Sequence, residues 1–139
     1  MTCNYDAQGD CAAGIQEYKS EYVDPMYQIL EQYHQQVEIV LVIEPDSLPN
    51  IATNEADPHC GSYATENAYK TGVAYSINKF KELDVTMYLD AAHGGWLGWE
   101  DNTWKFVDLL NDMDFELSSL RGFTTNVANY QPLGEMCPW

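Results

Sequence analysis

Apolar residues along the chain follow two patterns, one typical of buried strands and one typical of helices. Residues 39–43 are all β-branched or leucine, without a polar face. Such a run predicts a strand that is buried on both sides, as in a parallel sheet. Residues 85–89 form a second run of this kind, residues 122–127 predict a further strand, and residues 2–5 resemble the end of a short one.

The segments between these strands have apolar residues at three- and four-residue steps. This spacing predicts helices over residues 17–36, 62–83 and 104–120. Pro25 lies inside the first helix and predicts a kink or a break there, because proline removes a helical hydrogen bond. Residues 49–61, rich in proline and polar groups, predict a loop. The order β-α-β-α-β-α-β predicts an α/β fold with a parallel sheet and right-handed crossovers.

Polar residues follow each predicted strand at its carboxyl end. Parallel strands share a direction, so these residues are expected to converge on one rim of the sheet, where α/β folds place their chemistry. An isolated aspartate after a strand is as easily a cap for the next segment, but the recurrence favours a site. The rim residues are Asp6 and Asp10, Asp46, Asp90, and Asn126 with Asn129.

A loop rich in glycine and tryptophan, residues 93–99, follows Asp90. Trp96 and Trp99 either pack in the core or stack on sugar rings, and the surrounding glycines favour an open loop and stacking. His93 either donates a hydrogen bond to a sugar hydroxyl or stabilises the loop.

Charge and cysteine content restrict the partners. The net charge of −16 argues against nucleic acid, whose phosphates the chain would repel. No run of 18 apolar residues exists, so no membrane partner is expected. Four cysteines without a CxxC pair fit two disulfides and an oxidising compartment, with three possible connectivities. No signal peptide is visible at the start, which leaves an intracellular protein or the mature part of a secreted one.

A cluster of carboxylates beside aromatic residues is typical of glycoside hydrolysis. That reaction needs a protonated carboxylic acid for the leaving oxygen and a second carboxylate on the water side. A divalent metal site is the competing interpretation, because Mg²⁺ and Ca²⁺ also bind clustered carboxylates. The adjacent tryptophans favour sugar, and no metal ligand set or cofactor is predicted.

Taken together, the motifs resemble glycoside hydrolase family 6, the cellobiohydrolases and endoglucanases with a distorted α/β barrel. The matching stretches occur in the family's order and span residues 5–12, 41–48 (LVIEPDSL), 87–99 (MYLDAAHGGWLGW) and 120–130. The resemblance implies that residues 1–139 form a single domain, part of a family 6-like catalytic barrel.

By position, Asp46 resembles the family's general acid and Asp10 the second carboxylate, which helps to position the water. Tyr5 resembles the tyrosine near the reacting sugar, and Asp90 the carboxylate that supports the site. The resemblance further implies that the substrate cleft is lined by His93, Trp96, Trp99 and Asn129, and that a first disulfide joins Cys11 and Cys60. A bond between Cys3 and Cys137, which have no clear family counterpart, is a separate hypothesis.

The chain also departs from the family. The C-terminal half of the family's domain, with the proposed base, is absent, and the loop after Cys11 is shortened. The resemblance implies an extracellular glycosidase that cleaves β-1,4-glucan with inversion and needs no cofactor. The alternative is a weak or inactive descendant that binds carbohydrate or self-assembles, with itself or a complementing chain as partner.

Overall fold

The structure, a computed structural model, describes residues 11–57 and 61–132 of the 139-residue chain. The helices are α1 (Ala12–Glu17), a π-helical segment (Tyr18–Val23), α2 (Asp24–Tyr33), α3 (Ser47–Asn54), α4 (Tyr63–Phe80), α5 (Gly94–Leu97), α6 (Glu100–Asn111) and a 3₁₀ turn (Leu117–Ser119). The strands are β1 (Val40–Ile43), β2 (Thr86–Asp90) and β3 (Gly122–Thr124).

The three strands form a parallel sheet in the order β1-β2-β3. Val42 pairs with Tyr88, and Tyr88 pairs with Gly122. The prediction of an α/β fold with a parallel sheet is therefore confirmed. The predicted strand at residues 2–5 lies outside the described residues.

One face of the sheet, called the covered face, carries the hydrophobic core. Ile43, Met87 and Leu89 point to this side and are almost completely buried. They pack with apolar residues of α3, α4 and α6, such as Ile77 and Phe106. Because β strands alternate their side chains, every second strand residue faces these helices. The covered face therefore holds the helices and the sheet together.

The opposite side, called the open face, differs from the prediction. It carries Val40 and Val42 of β1 and, in register with them, Thr86 and Tyr88 of β2. Val40 is 56% exposed and Val42 is 37% exposed, so the expected burial of residues 39–43 on both sides is wrong within the described chain. The physical reason is that the helices described here cover only one side of the sheet.

The helices also differ from the prediction at several places. Residues 47–54 form α3, so the predicted loop over residues 49–61 is wrong for residues 49–54. Pro49 lies in the first turn of α3, where a missing N–H costs no helical hydrogen bond. The predicted helix 104–120 starts earlier, at Glu100, and ends at Asn111.

Near Pro25 the backbone stays helical, and the helix changes type: a π-helical segment leads directly into α2, with Pro25 in the first turn of α2. Within the described residues, none of the helices has the length and apolar content that crossing a membrane requires.

Candidate active site

Asp46 and Asp90, predicted from two separate strand ends, lie next to each other. The backbone N–H of Asp46 donates to Oδ2 of Asp90 at 2.8 Å. The same oxygen accepts the N–H of Ala92 at 3.0 Å. Asp90 is only 1% exposed, and its side chain thus joins the turn after β1 to the segment after β2.

The Asp46 carboxylate itself is not a helix cap. Asp46 occupies the N-cap position of α3 with φ of 65°, yet its side chain makes no capping hydrogen bond. Aspartate at this position normally accepts a backbone N–H of the first turn. The half-buried Asp46 carboxylate is therefore not committed to the helix, which removes the simplest structural explanation for the residue.

The ends of β2 and β3 are joined in a similar way. Asn126 donates its backbone N–H to the carbonyl of Ala92 at 2.5 Å. The Asn126 side chain exchanges two hydrogen bonds of 2.9 Å with the backbone of Gln131. Among the described residues, buried Oδ1 of Asp90 and Oγ1 of Thr124 make no hydrogen bond. Buried polar atoms of this kind are usually satisfied by an ordered water.

Left-handed backbone conformations concentrate on this rim. Glu44, Asp46, Ala92 and Asn126 have φ between 44° and 65°. Such conformations cost roughly 1–3 kcal/mol each for residues other than glycine and cluster at functional sites. The chain therefore accepts backbone strain at all three strand ends.

His93, Trp96 and Tyr130 form an aromatic row beside the carboxylates. The ring centroid of His93 lies 5.3 Å from the ring centroid of Trp96 and 4.9 Å from that of Tyr130. Nδ1 of His93 accepts the N–H of Gly95 at 3.1 Å, so the histidine stabilises its own loop. In a neutral ring the proton then lies on Nε2, which remains a donor. Both roles considered for His93 are thus compatible with its geometry.

The loop that carries the tryptophans is a tight helical turn, α5, and is less open than the glycines indicated. Gly98 must be glycine because a Cβ there would lie 2.2 Å from the carbonyl oxygen of Gly94. This turn leaves Trp99 67% exposed, while Trp96 is half-buried. Trp104 is also exposed, in α6, and was not among the predicted site residues.

Tyr18 and Glu44 form a second polar pair near the rim, which the sequence did not predict. The hydroxyl of Tyr18 donates to Oε1 of Glu44 at 2.6 Å. Burial of the phenol, together with the charge of Glu44, raises the pKa of Tyr18 above its ordinary value. The two residues are 26 positions apart in the sequence. Because Tyr18 lies at helical spacing with other apolar residues, the sequence pattern indicated only a core position and not a partner for Glu44.

Several predicted residues lie outside the described part of the chain. They are Cys3, Tyr5, Asp6, Asp10, Cys60 and Cys137. Cys11 is buried and disulfide-bonded, with its partner outside the described residues, so its pairing with Cys60 stays a prediction. Asn129, on the rim with φ of 59°, is exposed. Within residues 11–57 and 61–132, no group of three or more acidic, histidine or cysteine side chains is placed to hold a metal ion.

The chain is similar in sequence to an exoglucanase and a cellobiohydrolase. Exoglucanase A of Cellulomonas fimi is 38% identical over 129 residues, which cover 88% of this chain and 15% of that protein. The 1,4-beta-D-glucan cellobiohydrolase CEL6B of Podospora anserina is 39% identical over 86% of this chain and 30% of its own length. The chain thus spans less than a third of these two relatives.

Solved structures show the same relationship. The catalytic domain of Cellulomonas fimi Cel6B superposes with a TM-score of 0.75 at 35% identity, over 89% of this chain and 29% of that one. Cellobiohydrolase II (Cel6A) of Humicola insolens, in complex with glucose and cellotetraose, gives a TM-score of 0.73 at 33% identity, over 92% and 35%. The sequence model of Glycosyl hydrolases family 6 matches residues 3–138. The chain therefore belongs to glycosyl hydrolases family 6.

Proposed function

We propose that this chain supplies the acid side of a family 6 active site that hydrolyses β-1,4-glucan with inversion, with Asp46 as the general acid. The observation that carries the proposal is the Asp46–Asp90 contact, in which a buried carboxylate fixes the backbone of a second aspartate whose own side chain does not cap α3. A general acid must be held at a fixed place beside the leaving oxygen, and anchoring through the main chain does not occupy the carboxyl group.

The remaining rim residues are assigned from the same resemblance. Asp90 supports the site, and His93, Trp96, Trp99 and Asn129 line the path of a cello-oligosaccharide. Exposed Trp99 offers a flat apolar face to a sugar ring. Asp10 and Tyr5 would complete the water side. We further propose a secreted protein with disulfides Cys11–Cys60 and Cys3–Cys137, within a single domain over residues 1–139.

Asp46→Asn tests the assignment, because the amide keeps the shape of the side chain and cannot donate the acid proton. Release of reducing sugar from soluble cellulose is expected to fall about 10²–10⁴-fold, the usual contribution of a general acid. Binding of cello-oligosaccharide is expected to persist. The matched control is Asp108→Asn on the exposed side of α6. Equal activity in the two variants, or no release from the parent chain, would contradict the proposal.

Binding or self-assembly is the second candidate, and the open face favours it. Val40 and Val42 are apolar and exposed. Among the described residues β1 and β3 pair only with β2, and sheet edges left in this way associate readily with other strands. In this case the chain covers the open face with another copy or with a complementing chain. Light scattering that gives a monomer mass would contradict self-assembly, whereas a large regular assembly without sugar release would contradict hydrolysis.

A further inference from the structure

A small pocket lies beside the turn that follows β1. Its volume is about 220 Å³, and we call it the tyrosine pocket. It is lined by Tyr18, Tyr22, Glu44, Ser47, Tyr69 and Val73. Tyr69 is 7% exposed and Tyr22 is 49% exposed, so the pocket reaches from the core to the surface. The rings of Tyr18 and Tyr22 lie 5.5 Å apart, centroid to centroid, with a tilt of 32°.

Among the described residues of this lining, Glu44 is the one that carries a charge. Its Oε1 accepts the hydroxyl of Tyr18, and within the described chain no lysine, arginine or histidine forms an ion pair with it. Burial and the charge of Glu44 both raise the pKa of Tyr22 as well, which is consistent with a negative potential in the pocket. The net charge of −16 adds to the attraction of cations from a distance.

We propose that the tyrosine pocket binds a small organic cation, of which a methylated ammonium group is the best match. Three tyrosines and one carboxylate are the chemistry that recognises such groups, because the negative face of an aromatic ring and a carboxylate both attract a cation. The volume agrees with this class, since drug-sized ligands need roughly 300–1,000 Å³.

A sugar ring fits the lining less well. Each hydroxyl of a sugar that leaves water needs a hydrogen-bonding partner. Beyond the tyrosine hydroxyls, the lining side chains in the described part of the chain offer only Glu44 and Ser47 as polar groups. Ser47 Oγ is buried and makes no hydrogen bond among the described residues. A methylated ammonium group needs no directional partner, so charge and aromatic surface are sufficient. This site does not depend on the proposed hydrolase activity.

Choline and its neutral isostere 3,3-dimethylbutan-1-ol provide the test. Both are titrated into the full chain at low salt, and the tyrosine ring resonances are followed by NMR. Saturable binding of choline is expected, with shifts at Tyr18 and Tyr22, and with affinity at least about tenfold above that of the neutral alcohol. Added salt is expected to weaken the choline affinity. Equal binding of the two compounds, or choline shifts only at other tyrosines, would overturn the proposal.

Two variants sharpen the test. Glu44→Gln removes the charge and is expected to reduce choline affinity about tenfold or more. If that variant does not fold, Tyr22→Leu at the half-exposed mouth is used, with the same expected loss. The matched control is Tyr33→Leu, a half-exposed tyrosine on α2 outside the pocket. Undiminished choline binding in a folded Glu44→Gln or Tyr22→Leu variant, or equal loss in Tyr33→Leu, would refute the site.

Discussion

The covered face and the open face of one small sheet differ in what they contribute. The same β1 strand sends Ile43 into a core that α4 and α6 complete, and sends Val40 and Val42 toward solvent. Within β1 both sides carry aliphatic residues, so hydrophobicity alone does not determine which side of this strand is buried. Asp90 belongs by alternation to the same side as Tyr88, the open face. The hydrophobic core therefore lies on one face, and the candidate chemistry lies at the end of the other.

Leu89→Ala is expected to have the largest effect. Leu89 is completely buried on the covered face, and removing such a side chain leaves a cavity that costs about 2–5 kcal/mol of unfolding free energy. Urea denaturation measures the loss, and Val42→Ala is the control on the open face. If Val42→Ala cost as much as Leu89→Ala, the open face would be covered in solution and the contrast between the faces would fail.

Asp90→Ala is expected to rank second, with a loss of about 1–3 kcal/mol of unfolding free energy. The change removes the acceptor of two backbone hydrogen bonds, and a typical hydrogen bond contributes about 0.5–1.5 kcal/mol net. Amide exchange of Asp46 and Ala92 should accelerate relative to that of residues in α4. Unchanged exchange at both amides would show that Asp90 does not hold the turn.

Tyr75→Phe tests a link within the helical layer and is expected to have a smaller, pH-dependent effect. The Tyr75 hydroxyl donates to Oδ1 of Asp24 at 2.6 Å, joining α4 to α2. This bond, with burial second, raises the pKa of Tyr75 from 10.0 to about 12.

The raised pKa of Tyr75 determines how this stabilisation depends on pH. The folded state holds the Tyr75 proton more tightly than the unfolded state, so the stabilisation is complete below pH 10 and is lost as the pH rises toward 12. Urea midpoints of the parent and of Tyr75→Phe should differ below pH 10 and converge near pH 12. A difference that is constant over this range would contradict the assignment.

Val42→Thr is expected to change stability least, within about 0.5 kcal/mol, because an exposed site accepts a hydroxyl. The variant distinguishes a monomer from an assembly joined through the open face. If the chain is a monomer, its mass and its unfolding free energy stay the same. If copies are joined through this face, the added hydroxyl is buried at the contact, and the mass measured by light scattering is expected to fall.

The comparison also shows which features the sequence could reveal. Continuous apolar runs predicted the strands, and the parallel arrangement followed from their alternation with helices. The same runs led to the wrong expectation for Val40 and Val42, because a local pattern records what a residue tolerates and not whether another segment covers it. α3 was missed because Pro49 reads as a loop signal, although Leu48, Ile51 and Ala52 have helical spacing and are buried.

The site was predictable to a similar degree. Asp46 and Asp90 followed from their positions after buried strands. The sequence did not indicate that the backbone N–H of Asp46 donates to the side chain of Asp90. This hydrogen bond spans 44 residues and depends on the left-handed backbone conformation of Asp46. The Tyr18–Glu44 pair was hidden for the same reason, since only the assembled π-helical segment brings the phenol to the strand end.

The strand order has a consequence for synthesis on the ribosome. β1 pairs with β2 and β2 pairs with β3, so spatial order equals the order in which the strands leave the exit tunnel. Translation at roughly 5–20 residues per second is slow compared with local folding steps. Among the three described strands, β2 and β3 therefore each meet a neighbour that has already emerged, and none of the three waits for a partner more distant than the next strand. The sheet can grow vectorially, one βα unit at a time.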